Sequence, residues 1–168
     1  MMKVMITGSY DPITLGHIDI IKRASKLFDE VYVALLINEN KVSLFSLEER
    51  VEFVQKVIND LKLDNCKVVS DRGLAVDFAQ KLGCSAFVRG VRSSADYEYE
   101  VGQASINKML NEKIETLFLV AAPDLAHISS SMVKAVASFG GDLSQFVPKH
   151  VEHALRLKYP VQIKGTKI

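Results

Sequence analysis

Thr7-Gly8-Ser9-Tyr10-Asp11-Pro12-Ile13-Thr14-Leu15-Gly16-His17 follows the apolar run Val4-Met5-Ile6 and precedes a segment with helical periodicity. The run reads as a buried first strand. From Ile18 to Phe28, a stripe of Ile20/Ile21, Ala24 and Leu27/Phe28 predicts an amphipathic helix. A Gly-containing loop therefore joins a strand to a helix N-terminus and places a histidine at that end. Open backbone N–H groups and the helix dipole suit such an end to phosphate. An imidazole beside a phosphate can donate hydrogen bonds to charge that builds up during transfer. The arrangement implies phosphate chemistry.

Working outward, short apolar runs alternate with helical patterns. Val31 to Ile37 predicts a second strand, apolar on both faces as a central parallel strand should be. A polar loop from Asn38 to Phe45 follows, and Ser46-Leu47-Glu48-Glu49 reads as a capping box. The helix it opens carries Val51, Val54, Val57/Ile58 and Leu61 on one face. Lys67-Val68-Val69 predicts a third strand, and Ala75 to Leu82 a helix that Gly83 stops. Ala86-Phe87-Val88 predicts a fourth strand, followed by Arg89-Gly90-Val91-Arg92 and a helix from about Tyr97 to Leu110. Thr116 to Ala121 predicts a fifth strand. Helices over Ser130 to Ser138, stopped by Gly140-Gly141, and over Pro148 to Leu157 complete the pattern, with Pro148 suited to a first turn. The residues from Lys158 to Ile168 read as a polar, loosely held tail. The expected fold class is α/β: a Rossmann-like single domain over residues 1–168, with a five-stranded parallel sheet covered by helices on both faces.

Composition narrows the function. At 168 residues the chain is long enough for one domain with a substantial core and short for two. A formal net charge of +1 weighs against nucleic-acid binding, which usually brings a strong basic excess. Cys66 and Cys84 form no Cys-x-x-Cys and read as buried, reduced thiols. No apolar run approaches the roughly 20 residues of a membrane span. Met1-Met2-Lys3 leads straight into a strand, without the pattern of a signal peptide. A cytoplasmic enzyme with neither nucleic acid nor membrane as partner is expected.

In parallel α/β sheets, ligands bind beyond the carboxyl ends of the strands, where strand order reverses. That edge would collect Gly8 and Ser9, His17, Lys41, Arg89 and Arg92, and Ser129-Ser130-Ser131 before a helix. Arginine, lysine, serine hydroxyls and open N–H groups are the usual partners of phosphate oxygens. Each has an ordinary alternative. The serines could be caps, and Arg89 and Arg92 could pair with Asp96, Glu98 or Glu100. Their shared edge favours the phosphate reading. No Gly-x-Gly-x-x-Gly follows the first strand and no Gly-x4-Gly-Lys-Ser/Thr is present, which argues against dinucleotide oxidoreductases and P-loop ATPases. His150, Glu152 and His153 read as a solvated helix face, so no protein metal site is expected.

Gly8 to His17, ending in Thr14-Leu15-Gly16-His17, resembles the first motif of the Thr/His-x-Gly-His nucleotidylyltransferases. Leu47-Glu48-Glu49-Arg50, Arg89-Gly90-Val91-Arg92, Ala95 to Glu100 and Ile128 to Lys134 narrow the resemblance to the bacterial phosphopantetheine adenylyltransferase family. It runs from about Val4 to Leu157. The resemblance implies transfer of AMP from ATP to 4′-phosphopantetheine, with Mg2+ as cofactor, direct in-line attack and a step in coenzyme A biosynthesis. It implies His17, Lys41 and Arg92 as catalytic residues. Ser9, Lys41, Ala75, Arg89 and Asn107 would hold phosphopantetheine. Ser9, Tyr10, His17, Gly90, Val91, Arg92, Glu100, Leu125, Ala126, His127, Ile128, Ser129, Ser130 and Ser131 would hold ATP. It also implies a homohexamer inhibited by coenzyme A. Ser9 stands where threonine is usual, Leu125 where an aromatic is usual and His127 where phenylalanine is common, so the adenine side is expected to differ in shape. The alternatives are another phosphorylated acceptor, such as nicotinamide mononucleotide, or a nucleotide-binding module without turnover.

Overall fold

Successive side chains of a strand face opposite sides of its sheet, and the computed structural model, which describes residues 1–37 and 42–160, shows the consequence. In β1 (Lys3–Gly8), Val4 and Ile6 join one apolar cluster and Met5 another. In β2 (Glu30–Leu36), Val31, Val33 and Leu35 face the first cluster, while Tyr32 and Ala34 face the second. β4 (Ala86–Val91) repeats the pattern, with Ala86 and Val88 on one side and Phe87 on the other. Both faces of these strands are therefore covered, as a central parallel strand requires.

The first cluster takes in α1 (Leu15–Leu27), α2 (Leu47–Asp60), α5 (Ser130–Ser138) and α6 (Lys149–Lys158) through Ile21, Val54, Val133 and Val151. The second packs α3 (Ala75–Leu82) against the other face through Val76 and Ala79. With β3 (Cys66–Asp71) and β5 (Glu115–Val120) the sheet runs β3-β2-β1-β4-β5, all parallel. The expected five-stranded parallel architecture is present, and strand order reverses between β1 and β4.

Several boundaries differ from the sequence reading. α1 begins at Leu15 because Thr14 caps it, so His17 lies inside the first turn. Ile20, Ile21 and Ala24 are buried, but Leu27 is exposed. On α2 the buried face is Phe53, Val54, Val57 and Ile58; Val51 is half-buried and Leu61, the C-cap, is exposed. β4 continues to Val91, so Arg89 and Gly90 are strand residues paired with β5. α4 (Ser94–Leu110) starts three residues early because Ser93 accepts the Asp96 N–H. Pro148 is the N-cap of α6 and stands just outside its first turn. Of the tail expected from Lys158 to Ile168, residues 161–168 lie outside the described residues, and Lys158 itself is helical. It ends α6 and pairs with Glu49 at 3.2 Å.

Candidate active site

A cleft of about 430 Å³ opens at the β1/β4 reversal, with Gly8, Ser9, Tyr10, His17, Arg89 and Arg92 in its walls. At its floor, Thr14 and His17 hold each other. The Thr14 hydroxyl accepts the His17 backbone N–H at 3.4 Å, and the Thr14 N–H donates to His17 Nδ1 at 3.1 Å. The same hydroxyl lies 3.0 Å from Nδ1. A backbone N–H can only donate, so Nδ1 must carry a lone pair and the ring proton of a neutral imidazole sits on Nε2. Burial, then the positive charges of Arg92 and Arg89, push the His17 pKa down to about 4. His17 is therefore a neutral donor through Nε2 at physiological pH.

The loop before α1 is shaped by Tyr10. Its backbone takes φ 46°, and its buried ring meets His17 edge-on at 5.1 Å. A Cβ on Gly8 would stand 2.9 Å from the Tyr10 ring, so the close approach requires glycine. Asp11 is buried and accepts the backbone N–H groups of Leu44 and Phe45, each at 2.9 Å, and Lys134 Nζ at 3.1 Å. Burial alone would raise the Asp11 pKa, but these donors outweigh it and hold the carboxyl below its usual value. Arg50 reaches in from α2 and donates to the Ser9 carbonyl at 2.9 Å.

The cations converge from β4. Arg89 makes a two-point pair with Glu100, at 2.8 and 2.7 Å, and its Nη1 donates to both oxygens of Thr7. Arg92 pairs with Asp96 at 2.8 Å and donates to the Ile128 carbonyl at 3.0 Å. On the opposite wall Ser129 caps α5 by accepting the Met132 N–H, and Ser130 donates to the Pro12 carbonyl. The first turns of α1 and α5 thus face one crevice with two guanidiniums and a neutral imidazole. Such a set binds a polyphosphate and can stabilise charge on one phosphorus.

The cleft also takes Gly90, Glu100, Leu125, Ile128, Ser129 and Ser130 among the residues singled out from sequence. Val91 is buried in β4, His127 is exposed against the edge of Phe146, and Ser131 is exposed on α5. Ala126, Ala75 and Asn107 are not in the cleft walls either; Ala75 opens α3 and Asn107 lies on α4. Lys41 lies outside the described residues. Both alternatives weighed for the arginines hold in part, because Arg89 and Arg92 line the cleft and still pair with Glu100 and Asp96. His150 does not stand on a solvated face: it is half-buried, with its Nε2 3.2 Å from the Phe53 carbonyl. Sequence reasoning gave Thr7 and Tyr99 no role in the cleft walls and named Asp96 only as a possible partner of the arginines. Thr7 could have been found by asking which further neighbours satisfy Arg89.

A wider, open groove of about 640 Å³ runs along the outer face of α2, but its one cation, Lys56, is already paired with Asp60.

The cytidylyltransferase-like family matches residues 5–136, which spans the cleft from β1 to α5. A protein of Lachnoclostridium phytofermentans named phosphopantetheine adenylyltransferase is 45% identical over 159 residues, covering 94% of this chain and 96% of its own length. The chain belongs to the phosphopantetheine adenylyltransferase family. A Finegoldia magna member of that name is likewise 45% identical, over 157 residues and with the same coverage. Among solved structures, a Plasmodium falciparum nicotinic acid mononucleotide adenylyltransferase complexed with NaAD superposes with a TM-score of 0.71. It is 16% identical and covers 96% of this chain and 97% of its own, so it shares the fold with this family member. No helix among the described residues is long and apolar enough to cross a membrane.

Proposed function

We propose that the chain joins ATP and 4′-phosphopantetheine, giving dephospho-coenzyme A and pyrophosphate in coenzyme A biosynthesis. The observation that carries this reading is 45% identity, over nearly full length, to two enzymes of that name. A phosphate oxygen of phosphopantetheine attacks the α-phosphorus in line, forming one P–O bond as the bond to pyrophosphate breaks. Such transfers depend on positioning and charge stabilisation, with little covalent work for the protein. His17 donates from Nε2 to an α-phosphate oxygen as charge develops there. Ser9, Lys41 and Arg89 hold the acceptor phosphate, and Ala75 and Asn107 serve the pantetheine arm. Arg92 and the segment from Leu125 to Ser131 hold the nucleotide, with the N-terminus of α5 at its phosphates. Tyr10, Gly90 and Val91 shape that side.

Mg2+ fits this donor set as a companion of the nucleotide. Both cleft carboxylates, Asp96 and Glu100, are committed to arginines. Among the described residues no three His, Cys, Asp or Glu side chains cluster to form a cage. Magnesium commonly rides on substrate phosphates and water, so Ser129, Ser130 and Arg92 would hold the phosphates that carry it. When bound it offsets charge on the leaving pyrophosphate. Tyr99, Ile106, Met109 and Leu110 leave an exposed apolar strip on α4, which supports self-assembly into a homohexamer. Coenzyme A, which contains both halves of the product, would compete at the same cleft.

The test is pyrophosphate release from ATP and Mg2+ with 4′-phosphopantetheine, and separately with nicotinamide mononucleotide. Release with the first alone is expected. Release with the second alone would keep the fold and overturn the acceptor.

A further inference from the structure

We propose that Thr7 and Glu100 form a clamp that orients the Arg89 guanidinium. On this reading Glu100 is a positioning residue for the acceptor side. The inference rests on the proposed role of Arg89 at the acceptor phosphate and adds a second role to the expectation that Glu100 holds ATP.

Glu100 is the buried residue of α4, a helix otherwise half-buried or exposed. A buried carboxylate persists only when paired and hydrogen-bonded. Both of its oxygens are filled, Oε2 by Arg89 Nε at 2.8 Å and Oε1 by Nη2 at 2.7 Å. This fork-to-fork geometry fixes the plane of the guanidinium. From the other side Nη1 donates to the Thr7 carbonyl and, at 2.6 Å, to the Thr7 hydroxyl. Thr7 ends β1 and Glu100 sits on α4, so Arg89 is gripped between the central strand and a helix. A guanidinium has five N–H bonds. Four hydrogen bonds of the clamp leave a second N–H on Nη2 for a substrate oxygen.

Charge argues against Glu100 as a ligand of the nucleotide's phosphates. An ionised carboxylate repels a triphosphate, and one acceptor site on each of its oxygens is engaged by Arg89. Its contribution is orientation, because a pre-set arginine loses less freedom when phosphate binds. Arg92 differs. Its pair with Asp96 is a partly exposed i,i+4 contact on the first turn of α4. Such pairs are weak, which leaves Arg92 able to turn toward the nucleotide.

The experiment uses the full chain with Glu100→Gln, Thr7→Val, Arg89→Lys and the Arg89→Lys/Glu100→Gln double variant. Acceptor KM, kcat and the calorimetric Kd for ATP are measured for each. Glu100→Gln should raise the phosphopantetheine KM about 10- to 100-fold, the range seen when the partner orienting a ligating side chain in a metal site is removed. ATP Kd should stay within about twofold. Thr7→Val should shift the same constant in the same direction and by less. The double variant should be no worse than Arg89→Lys alone, as coupled residues are non-additive. A loss of ATP affinity with acceptor KM unchanged would overturn the clamp, as would additive losses. If Glu100→Gln does not fold, Thr7→Val decides, and an unchanged acceptor KM there overturns the proposal. If the wild-type chain instead uses another phosphorylated acceptor, the proposed function fails, while the clamp is judged by the KM of that acceptor.

Discussion

His17 works here because Thr14 decides which of its nitrogens carries the proton. Two bonds from one residue, a backbone N–H and a hydroxyl, fall on Nδ1. Thr14→Val keeps the first and removes the second together with the side-chain cap of α1. Loss of one ordinary hydrogen bond costs about 0.5–1.5 kcal/mol, so kcat should fall roughly 2- to 13-fold with ATP Kd unchanged, and Thr14→Ser should restore it. A pH consequence follows from the depressed His17 pKa. The unfolded histidine takes up a proton near 6.5 and the folded one near 4. Between those values the unfolded state binds more protons, so stability falls as pH drops from about 6.5 and levels off below about 4. The difference in urea midpoint between wild type and His17→Gln should therefore shrink on acidification from pH 7 to 4.5. NMR of the imidazole should show an Nε2–H tautomer that does not titrate above pH 5. A midpoint near 6.5 would contradict it. The histidine itself was legible in the sequence, since a strand, a glycine loop and a helix start point to it. Its tautomer was not, because that depends on Thr14 folding back three residues.

Among elements, Asp11 binds three segments that are distant in sequence: its own loop, the Leu44–Phe45 backbone leading into α2, and Lys134 on α5. Asp11→Asn keeps the shape but loses the charge. Hydrogen bonds to charged groups contribute about 1.5–3 kcal/mol, and the unfolding free energy from urea titration should fall by an amount in that range. A change within experimental error would show that the three segments hold without it. The capping box of α2 was readable because its residues are neighbours, and Ser46 and Glu49 do exchange their bonds. The end of β4 was not readable. Arg89 and Gly90 look like loop residues in isolation, yet they pair with Phe118 and Leu119 of β5, and that partner lies nearly thirty residues ahead. Similarly, Lys158 reads as tail until the contact with Glu49 is known.

For the whole molecule, continuous apolar runs at β1, β2 and β4, interleaved with helical patterns, were sufficient to predict a sheet covered on both faces. The order β3-β2-β1-β4-β5 then places the cleft where order reverses. What sequence patterning could not separate was function from pairing at the arginines, since both demand the same residues near the same strand end. The exposed strip on α4 belongs to this scale as well. Met109→Glu puts a charge on that strip without touching the cleft walls. Sedimentation should show smaller species than wild type, and an unchanged assembly would remove α4 from the interface.

The measurement that tests the account most directly is His17→Ala, assayed for turnover and for ATP affinity on the same preparation. Removing one stabilising donor aimed at developing charge typically costs about 10²–10³ in kcat. The account predicts a loss of that size with ATP Kd within about twofold of wild type. Equal losses of binding and turnover would make His17 a nucleotide anchor, and would contradict its role at the α-phosphate.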